Sequence, residues 1–245
     1  MSFLSGIFKR SHPAPSCSAV IVAAGASTRM EGGNKLLTEI NGLPVLAHTL
    51  MSFEKNTAVD EIVIVARAED LQTIGDLCKS CGINKASKVM AGGETRLESV
   101  YNGVFAVSDG ASYIAIHDGA RPCIEQPVIE RALAEAAKYH AAAPAVPVRP
   151  TLKRVKDGII TETVDREGLY EIQTPQIFSA DMIKAALTNA RKKSLDVTDD
   201  CMAAELIGFP VHITEGSVLN IKITTKDDLL VAEAIRNVIA VTDAR

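Results

Sequence analysis

Short apolar runs alternate along the chain with longer stretches in which apolar residues recur every three or four positions. The runs predict β-strands at 18–23, 61–66, 88–91, 113–117, 143–148 and 211–215. The periodic stretches predict helices at 44–54, 70–81, 95–107, 127–140, 180–191, 198–207 and 226–239. Alternation of this kind is typical of βαβ units around a parallel sheet. We therefore predict an α/β fold with a Rossmann-like, doubly wound and mostly parallel sheet.

One segment departs from this alternation. Between residues 149 and 173, two β-type runs flank an Asp157-Gly158 turn and predict a protruding β-hairpin arm. Because an isolated two-stranded ribbon is marginal in water, the arm must pack on its own domain or on a partner subunit, and we favour the partner. The expected organisation is a loose extension over 1–17 and a single domain over 18–240, with a dimerisation arm at about 149–173.

Composition narrows the class of protein. A net charge of -4 and a pI near 5.8 over 245 residues argue against a nucleic-acid partner, which requires clustered Lys and Arg. No apolar stretch approaches the roughly 20 residues that cross a bilayer, so no membrane partner is expected. Five scattered cysteines favour a reducing, cytoplasmic location, and Cys78 and Cys81 are expected to be ordinary thiols.

The first predicted strand leads into a candidate phosphate site. It ends in Ala23-Ala24-Gly25, and the following loop supplies Arg29 and Lys35. Backbone N–H groups after a strand, together with fixed cations, hold polyphosphates and point to phosphoryl or nucleotidyl transfer. The loop matches neither the Walker P-loop nor the dinucleotide fingerprint, which argues against an oxidoreductase. The alternative is a tight glycine turn with two solvated cations.

Two further loops follow predicted strands. Gly93 and Glu94 lead into a helix that carries Ser99, and these groups suit a flat polar ring such as a nucleobase. Thr95 and Glu98 have the spacing of a capping box. Glycine-rich turns of this kind are also common without ligands.

Asp118 ends a strand, where a ribose hydroxyl or Mg²⁺ would reach it, and Arg121 follows as a candidate phosphate ligand. The alternative is that the acid simply caps the next segment, and we expect His117 to be a core histidine and not a catalytic base. Lys222 lies in a β-type run over 220–224, so its side chain should face either solvent or a cleft.

These motifs together resemble one enzyme family. The segments Gly-Gly-Glu-Thr-Arg, His-Asp-Gly-Ala-Arg-Pro, Thr-Val-Asp-Arg, Gln-Thr-Pro-Gln and Asn-Ile-Lys-Ile-Thr, with the Ala-Ala-Gly start, are similar to those of the 2-C-methyl-D-erythritol 4-phosphate cytidylyltransferases. The resemblance runs from about residue 18 to residue 239. The alternatives are a ribitol-5-phosphate cytidylyltransferase, which Ala120 disfavours, and a non-catalytic nucleotide-binding module.

The resemblance implies transfer of CMP from CTP to methylerythritol phosphate in isoprenoid biosynthesis, in a cytoplasmic homodimer. It implies that Arg29, Lys35, Lys222 and Arg166 are catalytic, and that CTP contacts Ala23, Ala24, Gly25, Gly93, Glu94, Ser99 and Asp118. It implies that the acceptor contacts Asp118, Arg121, Thr151, Arg166, Thr174 and Lys222, with Thr151 and Arg166 acting in the neighbour's site. The expected cofactor is Mg²⁺ or another divalent cation, bound mainly by CTP phosphates, with Asp118 as the candidate protein ligand.

Overall fold

The structure is a computed structural model that describes residues 16–25 and 34–243. The strands are β1 (Cys17–Ala23), β2 (Glu39–Ile40), β3 (Leu43–Pro44), β4 (Val59–Ala66), β5 (Ala86–Ala91), β6 (Tyr113–Asp118), β7 (Ala141–Pro147), β8 (Leu152–Lys156), β9 (Ile159–Val164), β10 (Tyr170–Ile172), β11 (Gln176–Ser179) and β12 (His212–Glu215). The helices are α1 (Val45–Lys55), α2 (Leu71–Ser80), α3 (Arg96–Ala106), α4 (Gln126–Tyr139), α5 (Ala180–Lys192), α6 (Asp200–Glu205) and α7 (Lys226–Asp243). A 3₁₀ turn at Ala68–Asp70 precedes α2.

An eight-stranded sheet forms the centre of the fold. β1 pairs in parallel with β4 on one side and with β6 on the other, and β5 extends the parallel part beyond β4. β11 is antiparallel to both β6 and β7, β10 is antiparallel to β7, and β12 is parallel to β7. The predicted sheet is therefore present, with two antiparallel strands that the sequence pattern does not indicate.

Alternate residues of β1 face opposite sides of the sheet, and both sides are covered. Ile21 packs in one apolar cluster with residues of α1, α2, α4 and α7, whereas Val20 packs in another with residues of α3, α5 and α6. A strand that is buried on both faces reads as a continuous apolar run, as the first predicted strand does. Gly103 lets α3 approach closely, because a Cβ atom there would lie 2.5 Å from Cγ1 of Val20.

The hairpin arm is present as a separate two-stranded sheet of β8 and β9. Asp157 and Gly158 have φ angles of 51° and 80°, as the tight turn requires. Ile159 and Ile160 are 69% and 60% exposed, so the arm presents apolar surface outside the central sheet.

One element prediction is wrong. Residues 220–224 form no strand, because their backbone groups bond locally or singly: Asn220 N–H donates to the carbonyl of Ser217, and Ile223 N–H donates to the carbonyl of Ala120. α6 is also shorter than predicted, because the Asp199 side chain caps it by accepting from the Met202 N–H. Other boundaries differ by a few residues, and Cys17 already belongs to β1. Residues 1–15 of the predicted extension lie outside the described residues.

Candidate active site

A cavity of about 340 Å³ opens at the carboxyl ends of β1 and β6. Its lining comes from five parts of the chain: the end of β1 and the following loop, the start of the segment before β2, the β5–α3 loop with the first turn of α3, the end of β6 with the following loop, and the segment before α7. The lining residues are Val22, Ala24, Gly25, Lys35, Leu36, Gly93, Glu94, Thr95, Arg96, Ser99, Asp118, Ala120 and Lys222. The sequence motifs therefore meet at the sheet edge where ligands bind in doubly wound folds.

The β5–α3 loop is fixed by a capping box. Thr95 Oγ1 accepts from the Glu98 N–H at 3.1 Å, and the Glu98 carboxylate accepts from the Thr95 N–H. The same carboxylate accepts from the Glu94 N–H at 2.8 Å. These bonds satisfy donors that a helix N-terminus otherwise leaves open, so the predicted box is confirmed and the loop has a defined shape.

Ser99 ties this loop to the helix that follows. Its Oγ donates to the Thr95 carbonyl at 3.0 Å and accepts from the Gly93 N–H at 3.1 Å. Gly92 lies so close to β1 that an added Cβ would be 2.6 Å from both Ala24 Cβ and Ser99 Oγ. Glycine is therefore required at 92 for the loop to close against the end of β1.

Asp118 is the buried carboxylate of the cavity. Its Oδ2 accepts from Lys222 Nζ at 3.0 Å and from Arg121 Nε at 3.3 Å. Burial works to raise the pKa of Asp118, but the charges of Lys222, Arg121 and Arg96 outweigh burial and hold that pKa well below its usual range. The carboxylate is therefore ionised at neutral pH.

His117 lies behind Asp118 and is completely buried. Its Nδ1 is 3.0 Å from Thr174 Oγ1. That hydroxyl oxygen accepts a hydrogen bond from the Asp118 N–H at 3.2 Å. A hydroxyl that accepts from an N–H can donate its proton to Nδ1, which leaves the histidine proton on Nε2, 3.4 Å from the Arg121 carbonyl. Burial lowers the pKa of His117 to about 3, so it is a neutral core histidine, as expected.

Two lysines reach the cavity from distant parts of the chain. Lys35 Nζ donates to the Ile223 carbonyl at 2.9 Å, and Lys222 is adjacent in sequence to that residue. Ile223 is buried, while the Lys222 side chain remains 42% exposed and bonds to Asp118. The irregular segment 220–224 thus points Lys222 into the cleft, although it is not a strand.

Comparison with known proteins decides the family. A family model described as "2-C-methyl-D-erythritol 4-phosphate cytidylyltransferase" matches residues 17–237. The chain belongs to the 2-C-methyl-D-erythritol 4-phosphate cytidylyltransferase family. The predicted family, its nucleotidyltransferase class and the α/β fold are thereby confirmed.

Individual members of this cytidylyltransferase family are similar over nearly their whole length. One from Halalkalibacterium halodurans is 44% identical over 220 residues, covering 89% of this chain and 96% of the relative. One from Pelotomaculum thermopropionicum is 42% identical over 221 residues, covering 89% and 93%. A crystal structure of 4-diphosphocytidyl-2C-methyl-D-erythritol synthase from Anaerococcus prevotii has a TM-score of 0.80 at 28% identity, covering 91% of this chain and 99% of that one.

Three residues that the family resemblance assigns to ligands lie behind the cavity wall. Arg121 is buried and donates through Nη1 to the Asn220 carbonyl at 2.7 Å, besides its bond to Asp118. Thr174 is buried, with its hydroxyl between His117 and the Asp118 backbone. Ala23 is 1% exposed. Within the described part of the chain, none of the three lines the cavity.

The remaining assigned residues lie elsewhere. Thr151 and Arg166 are exposed on the arm and do not line the described cavity. An Nη1 hydrogen bond from Arg166 to the Arg149 carbonyl holds the side chain along the base of the arm. Arg29 lies outside the described residues.

Sequence reasoning missed one cation of the cavity. Arg96 lines the cavity and bonds through both Nη atoms to Asp200. The sequence did contain a signal for it: Arg96 comes directly after the capping residue of a helix, beside a glycine-rich loop. Its partner lies 104 positions away, and no spacing rule connects them.

Of the described helices, none combines the length and the apolar character that crossing a membrane requires. All five cysteines are free thiols, and Cys78 is buried. Burial raises the pKa of Cys78 to about 11, so this thiol is not activated.

Proposed function

We propose that this chain transfers CMP from CTP to the phosphate of 2-C-methyl-D-erythritol 4-phosphate and releases pyrophosphate, as a step of isoprenoid biosynthesis. An oxygen of the acceptor phosphate attacks the α-phosphorus of CTP. A P–O bond forms there while the bond from the α-phosphorus to the oxygen bridging to the β-phosphate breaks, and its electron pair leaves with pyrophosphate. The product is 4-diphosphocytidyl-2-C-methyl-D-erythritol.

The observation that carries this proposal is the arrangement of charge around Asp118. Lys222 is bonded to the carboxylate, and Lys35 is bonded to the carbonyl of the next residue, Ile223. Two cations thus line the same cavity as one buried anion. Phosphoryl transfer depends mainly on such positioning and on fixed positive charge, because negative charge is spread over the equatorial oxygens in the transition state.

We propose separate roles for the cations. Lys35, together with Arg29, stabilises charge on the α-phosphate during attack. Lys222 and Arg166 position the acceptor phosphate. That phosphate is already an anionic nucleophile at neutral pH, so no general base is needed, which fits a neutral His117.

The base subsite is proposed at the β5–α3 loop. The Ser99 hydroxyl proton is directed to the Thr95 carbonyl, and one lone pair of the oxygen accepts from the Gly93 N–H, so the second lone pair is left to accept a hydrogen bond from a ligand. Cytosine offers an amino group at the position where uracil has a carbonyl oxygen. Ser99 is therefore suited to cytosine and unsuited to uracil.

Asp118 is proposed to face the ribose of CTP from the end of β6. Family resemblance assigns Thr174 and Arg121 to the acceptor, but here both hold Asp118: Thr174 Oγ1 accepts from its backbone N–H, and Arg121 Nε donates to its Oδ2. Their contribution to substrate binding is therefore proposed to pass through Asp118.

Mg²⁺ is the proposed cofactor. Among the described residues, His, Cys, Asp and Glu side chains form no group of three or more that would hold a metal ion. The Asp118 carboxylate at the cavity fits an ion held mainly by CTP phosphates with one protein ligand, because Mg²⁺ keeps waters and prefers substrate phosphates to protein cages. When bound, the ion neutralises charge on the triphosphate.

We also propose a homodimer in which the arm reaches the neighbour's site. Its support is the exposed apolar surface at Val155, Ile159 and Ile160, together with the position of Thr151 and Arg166 outside the cavity of their own chain. Contiguous exposed apolar surface marks interaction sites.

The substrate is tested by measuring pyrophosphate release with CTP and either methylerythritol 4-phosphate or ribitol 5-phosphate, in the presence of Mg²⁺. We expect release with methylerythritol 4-phosphate, at a kcat/KM at least about 100-fold above that with ribitol 5-phosphate. Preference for ribitol 5-phosphate would contradict the acceptor assignment. Binding of CTP without release of pyrophosphate from either acceptor would favour a non-catalytic nucleotide-binding module.

A further inference from the structure

Arg96 lines the cavity but has no role in the proposed reaction. It is the first residue of α3, and its side chain is 29% exposed on the cavity wall. The same helix end carries the Gly93–Glu94 loop before it and Ser99 one turn after it. Arg96 therefore lies on the side of the cavity where the base subsite is proposed, and Lys35 and Lys222 are brought in by segment 220–224.

The Arg96 guanidinium forms a bidentate ion pair with the Asp200 carboxylate. Nη1 is 3.0 Å from Oδ1 of Asp200, and Nη2 is 2.8 Å from Oδ2. A guanidinium has five N–H groups, and this pair uses two of them. The remaining donors of a half-buried arginine at a cavity wall can bind oxygen acceptors of a ligand.

Asp200 is itself held in place from behind. Its side chain is 1% exposed, and its backbone N–H donates to Gln176 Oε1 at 3.0 Å. Gln176 Nε2 donates in turn to Asp199 Oδ2 at 2.9 Å. Gln176 belongs to β11, which pairs with β6, so the ion pair is anchored to the strand that ends at Asp118.

The charge of Arg96 is permanent and acts on the cavity. Burial works to lower the pKa of Arg96, but the charge and hydrogen bonds of Asp200 outweigh it, and the pKa is raised. Arg96 is also one of the three cations that keep Asp118 ionised. A cation that serves only to neutralise Asp200 would not need to line the cavity.

We propose that Arg96 is a further substrate-binding residue, which donates to an oxygen of the nucleoside half of CTP, and that Asp200 is the residue that positions it. The oxygen acceptors in reach of such a donor are those of the pyrimidine ring and the ribose. This inference rests on the proposed use of CTP, and it adds a specificity contact to the base side of the cavity.

The test compares the wild type with Arg96→Lys, Asp200→Asn, Arg96→Gln and the double variant Arg96→Gln/Asp200→Asn. Dissociation constants for CTP and for inorganic tripolyphosphate are measured by calorimetry with Mg²⁺, and the Tm of each protein is recorded. Arg131→Lys, on the exposed face of α4, is the matched control, since Arg131 donates to a backbone carbonyl outside the cavity.

We expect Arg96→Lys to raise the Kd for CTP by about 10- to 100-fold, the range for a hydrogen bond from a charged group, and to leave the Kd for tripolyphosphate unchanged. Asp200→Asn should raise the Kd for CTP while retaining the arginine. Arg96→Gln should lower Tm, because Asp200 is then buried without a countercharge. The double variant should recover Tm but not CTP affinity.

Three results would overturn the inference. The first is a double variant that recovers CTP affinity together with Tm, and the second is wild-type CTP affinity in Arg96→Lys. The third is an Arg96→Lys variant that loses as much affinity for tripolyphosphate as for CTP. Arg96→Lys keeps a cation opposite Asp200, so it tests the inference even where Arg96→Gln does not fold. The proposed function is judged separately, by pyrophosphate release from the wild type. A wild type that binds CTP without releasing pyrophosphate would contradict that function and leave the Arg96 measurement valid.

Discussion

Lys222 Nζ lies 3.0 Å from Oδ2 of Asp118, which joins a half-exposed lysine near the end of the chain to a buried carboxylate at the end of β6. The contact fixes the flexible lysine side chain at the place where we propose that the acceptor phosphate binds. If Lys222 is lost, Arg121 is the remaining cation bonded to Asp118, and the charge of the carboxylate is no longer fully balanced.

Replacing Lys222 with Gln keeps a hydrogen-bond donor and removes the charge. We expect kcat to fall by about 10²-fold, because Lys222 is proposed to position the attacking phosphate and a misplacement of about 1 Å has a cost of this size. Steady-state pyrophosphate release measures this effect. Lys193→Gln, at the exposed end of α5, is the control and should leave kcat unchanged. A Lys222→Gln enzyme with wild-type kcat would remove this lysine from the mechanism.

Replacing Gly92 with Ala introduces a methyl group 2.6 Å from Ala24 Cβ and from Ser99 Oγ. The loop must shift, so we expect KM for CTP to rise at least about tenfold. Gly75→Ala is the matched control, because it lies within α2 and an added Cβ would meet no atom within 4 Å. That variant should keep the wild-type KM and gain about 1 kcal/mol of stability from helix propensity. Equal KM values for the two variants would contradict the close packing of the loop.

Replacing Ser99 with Ala removes the oxygen that we propose accepts from the cytosine amino group. The ratio of kcat/KM for CTP to that for UTP should fall by about tenfold, the effect of one hydrogen bond. Ser80→Ala is a control of similar chemistry, since Ser80 Oγ donates to the Leu77 carbonyl on the exposed surface of α2. An unchanged CTP to UTP ratio in Ser99→Ala would show that another group distinguishes the bases.

His117 should make the protein less stable in acid. Its pKa is about 3 in the folded state against 6.5 for the free side chain, so below about pH 6.5 the unfolded chain binds a proton that the folded protein does not. The free energy of unfolding should therefore fall by about 1.4 kcal/mol per pH unit as pH drops from 6 to 4 on account of this residue. Urea denaturation at several pH values measures the slope, and His117→Gln should reduce it. Identical slopes for wild type and variant would rule out His117 as the source.

Subunit sharing is tested by mixing two inactive variants, Lys35→Ala and Arg166→Ala. If each site combines Lys35 of one protomer with Arg166 of the other, a mixed dimer contains one intact site. Random exchange of equal amounts should then restore roughly a quarter of wild-type activity. Mixing Lys35→Ala with Lys222→Ala is the control and should restore none, since both residues belong to the same site. No recovery in the first mixture, under conditions where subunits demonstrably exchange, would argue against a shared site.

The sequence predicts the central sheet well because β1, β4 and β6 are buried on both faces, and their apolar runs are bounded by turn residues. It does not predict β10 and β11, since Tyr170–Ile172 and Gln176–Ser179 are short and lack a clear apolar repeat. Their pairing depends on β7 and β6, which contact them from distant parts of the chain. The strand predicted over 220–224 is wrong for a related reason, since alternation of Ile221, Lys222 and Ile223 suits a strand but no strand among the described residues pairs with this segment.

Most of the proposed binding residues follow from motifs at strand ends, because parallel strands bring their carboxyl ends to one edge. The motifs do not show which of these residues face the cavity. Asp118 and Arg121 are close in sequence, yet one lines the cavity and the other lies behind it, bonded to the Asn220 carbonyl. Arg96 was missed because its importance depends on Asp200, whose position is set by the packing of α6 against Gln176.

The hydrogen bond from Lys35 to the Ile223 carbonyl spans 188 positions of sequence. During synthesis, the strands that end at Ala23 and Asp118 emerge long before segment 220–224 does. A nascent chain can therefore assemble most of its sheet while the two lysines are still apart. The two lysines can therefore meet only after residue 222 has been made, and a chain cut short before it would lack both Lys222 and α7, which packs in the same core cluster as Ile21.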